Sequence, residues 1–200
     1  MGEKLINKEI YRSNSKKMIF NKSVNYIQLK INEILDKVSQ KDINKIKDLF
    51  FNSNHIFVYG AGRSGLVAKA FAIRLVHLGF QTFVIGETIT QPVQKDDLVI
   101  IVSGSGETIP AVMTAEISHN LGASVISITA KKKSEIAKFA DVTLFISVDH
   151  KDIERKKYAP LGTLFEASVW ILLDAIIADL LDSKNETEDL MRKRHATLEQ

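Results

Sequence analysis

The stretch VYGAGRSG, residues 58–65, leaves an apolar run and enters a segment with helical spacing. Gly60, Gly62 and Gly65 fit G-x-G-x-x-G, and an acid, Glu87, follows at about the 20-residue interval of a dinucleotide-binding turn. A glycine turn at a helix start aims backbone N–H groups and the positive end of a helix dipole at an anion. The sequence around it must decide whether that anion is a bridging pyrophosphate or a single terminal phosphoryl group.

Outward from this turn the chain alternates. HIFVYG is followed by SGLVAKAFAIRLVHLG, then QTFVIG, DDLVIIVSG, TIPAVMTAEISHNLG, SVISITA, SEIAKFA and DVTLFISV. Short runs that are apolar throughout, separated by helix-length segments, predict a parallel sheet covered on both faces. The expected fold is α/β, with five parallel strands flanked by helices in a flavodoxin-like three-layer sandwich. Upstream, Val24, Ile27, Ile31, Ile34, Leu35 and Val38 recur at helical spacing, and Ile43, Ile46, Leu49 and Phe50 resume it after Gln40–Asp42. Residues 1–50 therefore read as an amphipathic helical segment packing on the core, and residues 51–200 as the main domain. Residues 148–160 read as a long polar loop. It leads into LFEASVWILLDAIIADLL, residues 164–181, a helix apolar enough all round to need partners on two sides, as at a subunit interface.

In a doubly wound sheet, ligands sit beyond the carboxyl ends of the strands. A second turn, SGSGET at residues 103–108, falls there after the third strand. Ser103, Ser105 and Thr108 supply hydroxyls at close spacing, which suits the oxygens of one terminal phosphate better than a pyrophosphate. Glycine also marks simple close packing of strand on helix, and one such turn by itself is a weak signal. Two in matching positions favour a phosphomonoester.

Composition narrows the function further. Two hundred residues hold one α/β domain but not the added substrate domain that a nicotinamide-dependent oxidoreductase usually carries. The absence of cysteine excludes disulfides, thiolate metal sites and cysteine nucleophiles. A net charge of +3, with bases and acids intermixed, gives little reason to expect nucleic acid as a partner. The polar start has no apolar signal-peptide core, and Glu166, Asp174 and Asp179 interrupt the most apolar helix, so a cytoplasmic protein with no membrane partner is expected.

With both turns in view, the chain resembles the sugar isomerase (SIS) domain family, marked by G-x-G-x-S after the first strand and S-x-S-G-x-T after the third. The resemblance extends through GAGRSGLVAKAFAIRLVHLGF, VIGETITQP, GTLFEA and the terminal MRKRHATLE. Where the family tends to place proline and methionine before G-T-x-F-E, this chain has YAPLGTLFE. The resemblance implies an SIS-type fold, a homo-oligomer, expected to be a tetramer, and a small-molecule sugar phosphate as ligand. It further implies isomerisation of D-arabino-hex-3-ulose 6-phosphate and fructose 6-phosphate, with neither cofactor nor metal. Ser64, Ser103, Ser105 and Thr108 would hold phosphate and sugar hydroxyls, Gly104 would offer its N–H, and Glu166 would be the base. A histidine would assist, with His195 and His77 as candidates. Another aldose–ketose isomerase of the same fold, or a sugar-phosphate sensor without chemistry, remains an alternative.

Moving a carbonyl between C3 and C2 takes a proton from one carbon and returns one to the other through an enediol. One carboxylate can serve both carbons while a second group shuttles the hydroxyl protons. Glu166 is also the fourth residue of Thr163-Leu164-Phe165-Glu166, a capping box in which it would bond back to the helix start. His195 follows Arg192, Lys193 and Arg194, cations that suit a helix C-terminus, and His77 sits just before a helix-ending glycine. Gly62 and Arg63 belong to the first turn, where Arg63 either steers phosphate or is solvated. Glu87 and Thr88 are expected to form a polar lip of the cleft. Lys131–Lys133 read as a solvated helix start, and His55, His119 and His150 receive no function.

Overall fold

The computed structural model describes residues 2–195, with side chains from Met18 onward. Five strands, β1 (Ile56–Gly60), β2 (Thr82–Val84), β3 (Leu98–Val102), β4 (Ser124–Thr129) and β5 (Val142–Phe145), form one sheet. Their order is β2-β1-β3-β4-β5 and every pairing is parallel. Ile56 lies opposite both Thr82 and Leu98, so the three strands start level.

Why these runs are strands is visible in β3, Leu-Val-Ile-Ile-Val, where every side chain is buried. A strand covered on both faces has no polar side to alternate with. Its side chains still alternate between two cores. Ile56, Val58, Leu98, Ile100 and Val102 enter one core, while Phe57, Val99 and Ile101 enter the other.

The helices divide unequally between those cores. The first core is shared with α1 (Gly2–Leu35), α2 (Gln40–Asn52), α3 (Gly62–His77) and α6 (Thr163–Ser183). The second is covered by α4 (Ile109–Asn120), which approaches through Ala111 and Ala115. From β1 the chain turns through α3 to the edge strand β2, and from β3 it turns through α4 toward β4. The two crossovers leave on opposite faces and open a crevice at the carboxyl ends of β1 and β3.

The first glycine turn is built by contact. A Cβ on Gly65 would lie 2.5 Å from the Gly60 carbonyl oxygen, and one on Gly60 would lie 2.8 Å from the Gly65 nitrogen. The first turn of α3 therefore presses directly on the end of β1.

Several elements differ from their sequence reading. The helical segment before the sheet breaks between Leu35 and Gln40, where Ser39 caps α2 by accepting from the Asp42 N–H at 3.3 Å. SEIAKFA forms only a 3-10 turn at Ile136–Lys138, after which the Asp141 N–H bonds to the Val125 carbonyl at 2.9 Å and the chain enters β5. The polar loop contains a short helix, α5 (Ile153–Tyr158), capped by Asp152 accepting from the Glu154 N–H at 2.9 Å. A last helix, α7 (Glu188–Lys193), is capped by Thr187. Helix α6 buries Phe165, Val169, Leu173 and Leu180 but leaves Trp170 and Ile171 each 47% exposed. No helix among the described residues is long and apolar enough to cross a membrane.

Candidate functional site

Ser64, Ser103, Gly104, Ser105, Thr108 and Glu166 all line one cavity of about 620 Å³ at the carboxyl ends of β1 and β3. Segments separated by up to a hundred residues thus meet in one place.

Strand β3 delivers the second loop. The Ser103 N–H still bonds to the Ile128 carbonyl of β4 at 3.0 Å, which fixes where the loop begins. Ser103 is nearly buried, and its hydroxyl accepts from the Gly106 N–H at 3.2 Å. The Ser105 hydroxyl accepts from the Glu107 N–H at 3.2 Å. Thr108 stands at the N-cap of α4, yet its hydroxyl caps no backbone group. It lies 3.4 Å from the Ser103 hydroxyl and 3.5 Å from that of Ser105. At the edge of hydrogen-bond range, such contacts leave the three hydroxyls able to turn toward a ligand. The Gly104 carbonyl is occupied, accepting from the Ala130 N–H at 3.0 Å and the Thr129 hydroxyl at 3.3 Å.

Helix α6 supplies the carboxylate. The capping box does not form: the Thr163 hydroxyl donates to the Pro160 carbonyl at 2.6 Å, and Gly162 holds the N-cap position with no side-chain bond. The Glu166 carboxylate instead folds over Gly162, both oxygens 3.0 Å from where a Cβ would stand there. Arg63, from the first turn of α3, donates through Nε to Glu166 Oε2 at 2.6 Å. The carboxylate is mostly shielded, at 12% side-chain exposure, and the arginine is open, at 70%. Glu166 separates the cavity from a shallower groove lined by Arg63, Leu66, Trp170 and Ile171.

Other expected residues lie elsewhere in this chain. Gly62 occupies the start of α3 beside Arg63. Glu87 and Thr88 follow β2 and do not line the cavity; Glu87 is paired with Lys69 at 2.5 Å. His77 and His195 stack on each other with ring centroids 4.8 Å apart. They sit at the C-terminal end of α3, a helix of 16 residues and so roughly 24 Å long, away from the cavity at its start. There Arg194 donates to the His77 carbonyl at 3.1 Å and pairs with Glu186 at 2.9 Å, so Arg194 serves the end of α3. The terminal Ala196–Glu199 lie outside the described residues.

The cavity also contains residues to which the sequence reading gave no part in it: Glu107, Lys131, His150, Leu161, Gly162 and Phe165. Lys131 follows β4 and belongs to no helix, so it is a cavity residue rather than a solvated helix start. Its place after a strand at the carboxyl edge was the available signal. Lys131 Nζ donates to Glu107 Oε1 at 2.6 Å, and this ammonium holds the Glu107 carboxyl below its ordinary range. Leu161, where the family tends to have methionine, has a left-handed backbone, φ 55°, at the cavity lip, an uncommon conformation for leucine. The Arg155 guanidinium donates to its carbonyl at 2.9 Å.

A parallel sheet in 2-1-3-4-5 order, with a hydroxyl-lined cavity and one carboxylate at its switch point, defines an open α/β domain built to hold a small polar ligand. The chain belongs to the SIS domain family, whose model matches residues 49–170. It is 37% identical over 184 residues to the 3-hexulose-6-phosphate isomerase of Bacillus subtilis, covering 89% of this chain and all of that one. A crystal structure of a hypothetical protein superposes with a TM-score of 0.87 at 35% identity, over 92% of this chain and 99% of that one. Another, from Methanococcus jannaschii, for which the molecular function of 3-hexulose-6-phosphate isomerase was inferred, gives 0.77 at 33% identity over the same shares.

Proposed function

We propose that this protein is an isomerase that interconverts D-arabino-hex-3-ulose 6-phosphate and fructose 6-phosphate. The observation that carries the proposal is the convergence of Ser64, the SGSGET hydroxyls and the Glu166 carboxylate on one cavity. Relatives named for this reaction, matching over most of the chain, support the choice of substrate.

In the mechanism, the phosphoryl group sits against Ser64, Ser103, Ser105 and Thr108, with backbone N–H groups of the same loops, including that of Gly104. This anchors one end of an acyclic ketose and extends the other toward α6. Glu166 takes the proton from C2 of the 3-ketose, and the pair of electrons forms the C2–C3 double bond of the enediol. Reprotonation at C3 by the same carboxyl group, with loss of the C2 hydroxyl proton, leaves a carbonyl at C2. The reverse direction uses the same steps. Arg63 holds the carboxylate in place.

The hydroxyl protons need a second acid or base. A histidine, His195 or His77, would supply it from another subunit, since neither lines the cavity of its own chain. In a homotetramer, the apolar groove between α3 and α6 provides a surface for such a subunit contact. Glu87 and Thr88 would likewise take part across that boundary.

The test is incubation with fructose 6-phosphate in deuterated water, following exchange at the carbon-bound positions. Exchange by the wild type and a loss of about 10²–10⁴-fold in Glu166→Gln is expected. Binding of fructose 6-phosphate with no exchange in the wild type would instead identify a sensor.

A further inference from the structure

We propose that Lys131 is a phosphoryl-binding cation held ready by Glu107, and that ligand binding moves its ammonium from the carboxylate to the phosphoryl group. This rests on the sugar-phosphate reading of the cavity and adds the charge that the hydroxyl loops lack.

The cavity's own charge balance motivates it. Two carboxylates line it, Glu107 and Glu166, and Lys131 is the single lysine or arginine among the lining residues. Arg63 stands outside and is committed to Glu166. A phosphomonoester brings close to two negative charges at neutral pH. Hydroxyls and the backbone N–H groups of the helix starts supply hydrogen bonds and partial charge but no full cation, so an ammonium that turns to the ligand offsets the two carboxylates.

Lys131 is placed to do so by the backbone, not by chance of a surface side chain. The Ala130 N–H bonds to the Gly104 carbonyl at 3.0 Å, in the middle of the hydroxyl loop. Thr129 bridges the same two segments, its hydroxyl accepting from the Lys131 N–H at 3.2 Å and donating to the Gly104 carbonyl at 3.3 Å. The root of the lysine is thus fixed beside the loop that carries Ser103, Ser105 and Thr108. Only its flexible stem remains to choose a partner.

In the structure that partner is Glu107, at 2.6 Å, within the loop itself. Both side chains are substantially exposed, 57% for the lysine and 40% for the glutamate, and exposed pairs are weak. A doubly charged phosphoryl group in the partly enclosed cavity competes well against one solvated carboxylate. Glu107 is released into water, where it keeps its hydration.

Titration with inorganic phosphate and with fructose 6-phosphate, followed by calorimetry, tests the exchange independently of catalysis. Lys131→Met weakens both by about tenfold, the scale of one charge-assisted hydrogen bond. Lys133→Met, which removes the same charge from a residue that does not line the cavity, leaves both unchanged. Glu107→Gln frees the ammonium and tightens phosphate by about two- to fivefold, the scale of an exposed ion pair. That gain disappears in the Lys131→Met background, since the two residues act through one another. Binding by Lys131→Met at wild-type strength overturns the proposal, as does an equal loss in Lys133→Met or a Glu107→Gln gain that survives without Lys131. A protein that binds phosphate through Lys131 yet never exchanges carbon-bound protons would instead overturn the isomerase reading and leave this one standing.

Discussion

The carboxylate of Glu166 occupies the space that a side chain on Gly162 would need, with both oxygens 3.0 Å from the position of the missing Cβ. Gly162 has an ordinary backbone conformation, φ −83°, so the requirement for glycine comes from the neighbour and not from strain. The helix start thereby seats the carboxylate to which the proposed mechanism assigns the proton transfers.

Gly162→Ala separates folding from function. The obstructing atoms are the mobile end of a side chain, so the chain folds with stability within about 1 kcal/mol of the parent. The carboxylate must swing aside, and kcat falls by about 10- to 100-fold through misplacement of the proposed base. Urea unfolding and steady-state kinetics on one preparation test both halves. A large stability loss with unchanged kcat would show that the contact is structural only.

Arg63→Gln removes the guanidinium that holds Glu166 at 2.6 Å. Because the arginine is largely exposed, solvent screening limits the effect, and kcat falls by about five- to tenfold. KM changes little, since Arg63 does not line the cavity. Added guanidinium ion restores part of the rate. A variant that raises KM at constant kcat would place Arg63 on the phosphate instead.

Tyr26→Phe tests how α1 is tied to the segment after β5. The Tyr26 hydroxyl donates to Asp152 Oδ2 at 2.7 Å, and Lys30 lies 3.6 Å from the same oxygen. The tyrosine bond holds the Asp152 carboxyl below its ordinary 3.8, so this contribution is complete above about that pH and is lost as pH falls through the lower folded value. Burial and Asp152 push the Tyr26 phenol well above its ordinary 10.0; the bond is therefore intact up to pH 10 and lost only as pH rises further. The variant melts about 2–4 °C lower at pH 7, and the gap narrows as the pH is taken below 4. A gap that persists unchanged in acid would assign the loss to packing.

The sheet was legible because its strands are short, mainly apolar runs, unbroken in LVIIV and interrupted only by a hydroxyl residue in β4 and in β5, where Ser127 and Thr143 bond to each other at 2.8 Å. SEIAKFA misled because its apolar residues have helical spacing, while the Asp141 N–H bond to the Val125 carbonyl draws the chain into β5 after one turn. The hydroxyl loop was legible because its donors lie within six consecutive residues. Glu166 carried two local meanings, and the capping box is the one that does not form: the Thr163 hydroxyl goes to the nearby Pro160 carbonyl, and Arg63, distant in sequence, takes the carboxylate. Lys131 and Glu107 lie 24 residues apart, so no local pattern joins them. Only the meeting of neighbouring parallel strands does.

Residues 103–108 and the turn after β4 are stitched together at two levels, Ala130 to Gly104 and Ile136 to Gly106. They form a single jaw, and neither half can hinge away without breaking bonds to the other. The opposite lip, which includes His150 and the outward-pointing Leu161, comes from the chain after β5. Traffic into the cavity therefore passes between a jaw pinned across neighbouring strands and a lip drawn from a later part of the chain.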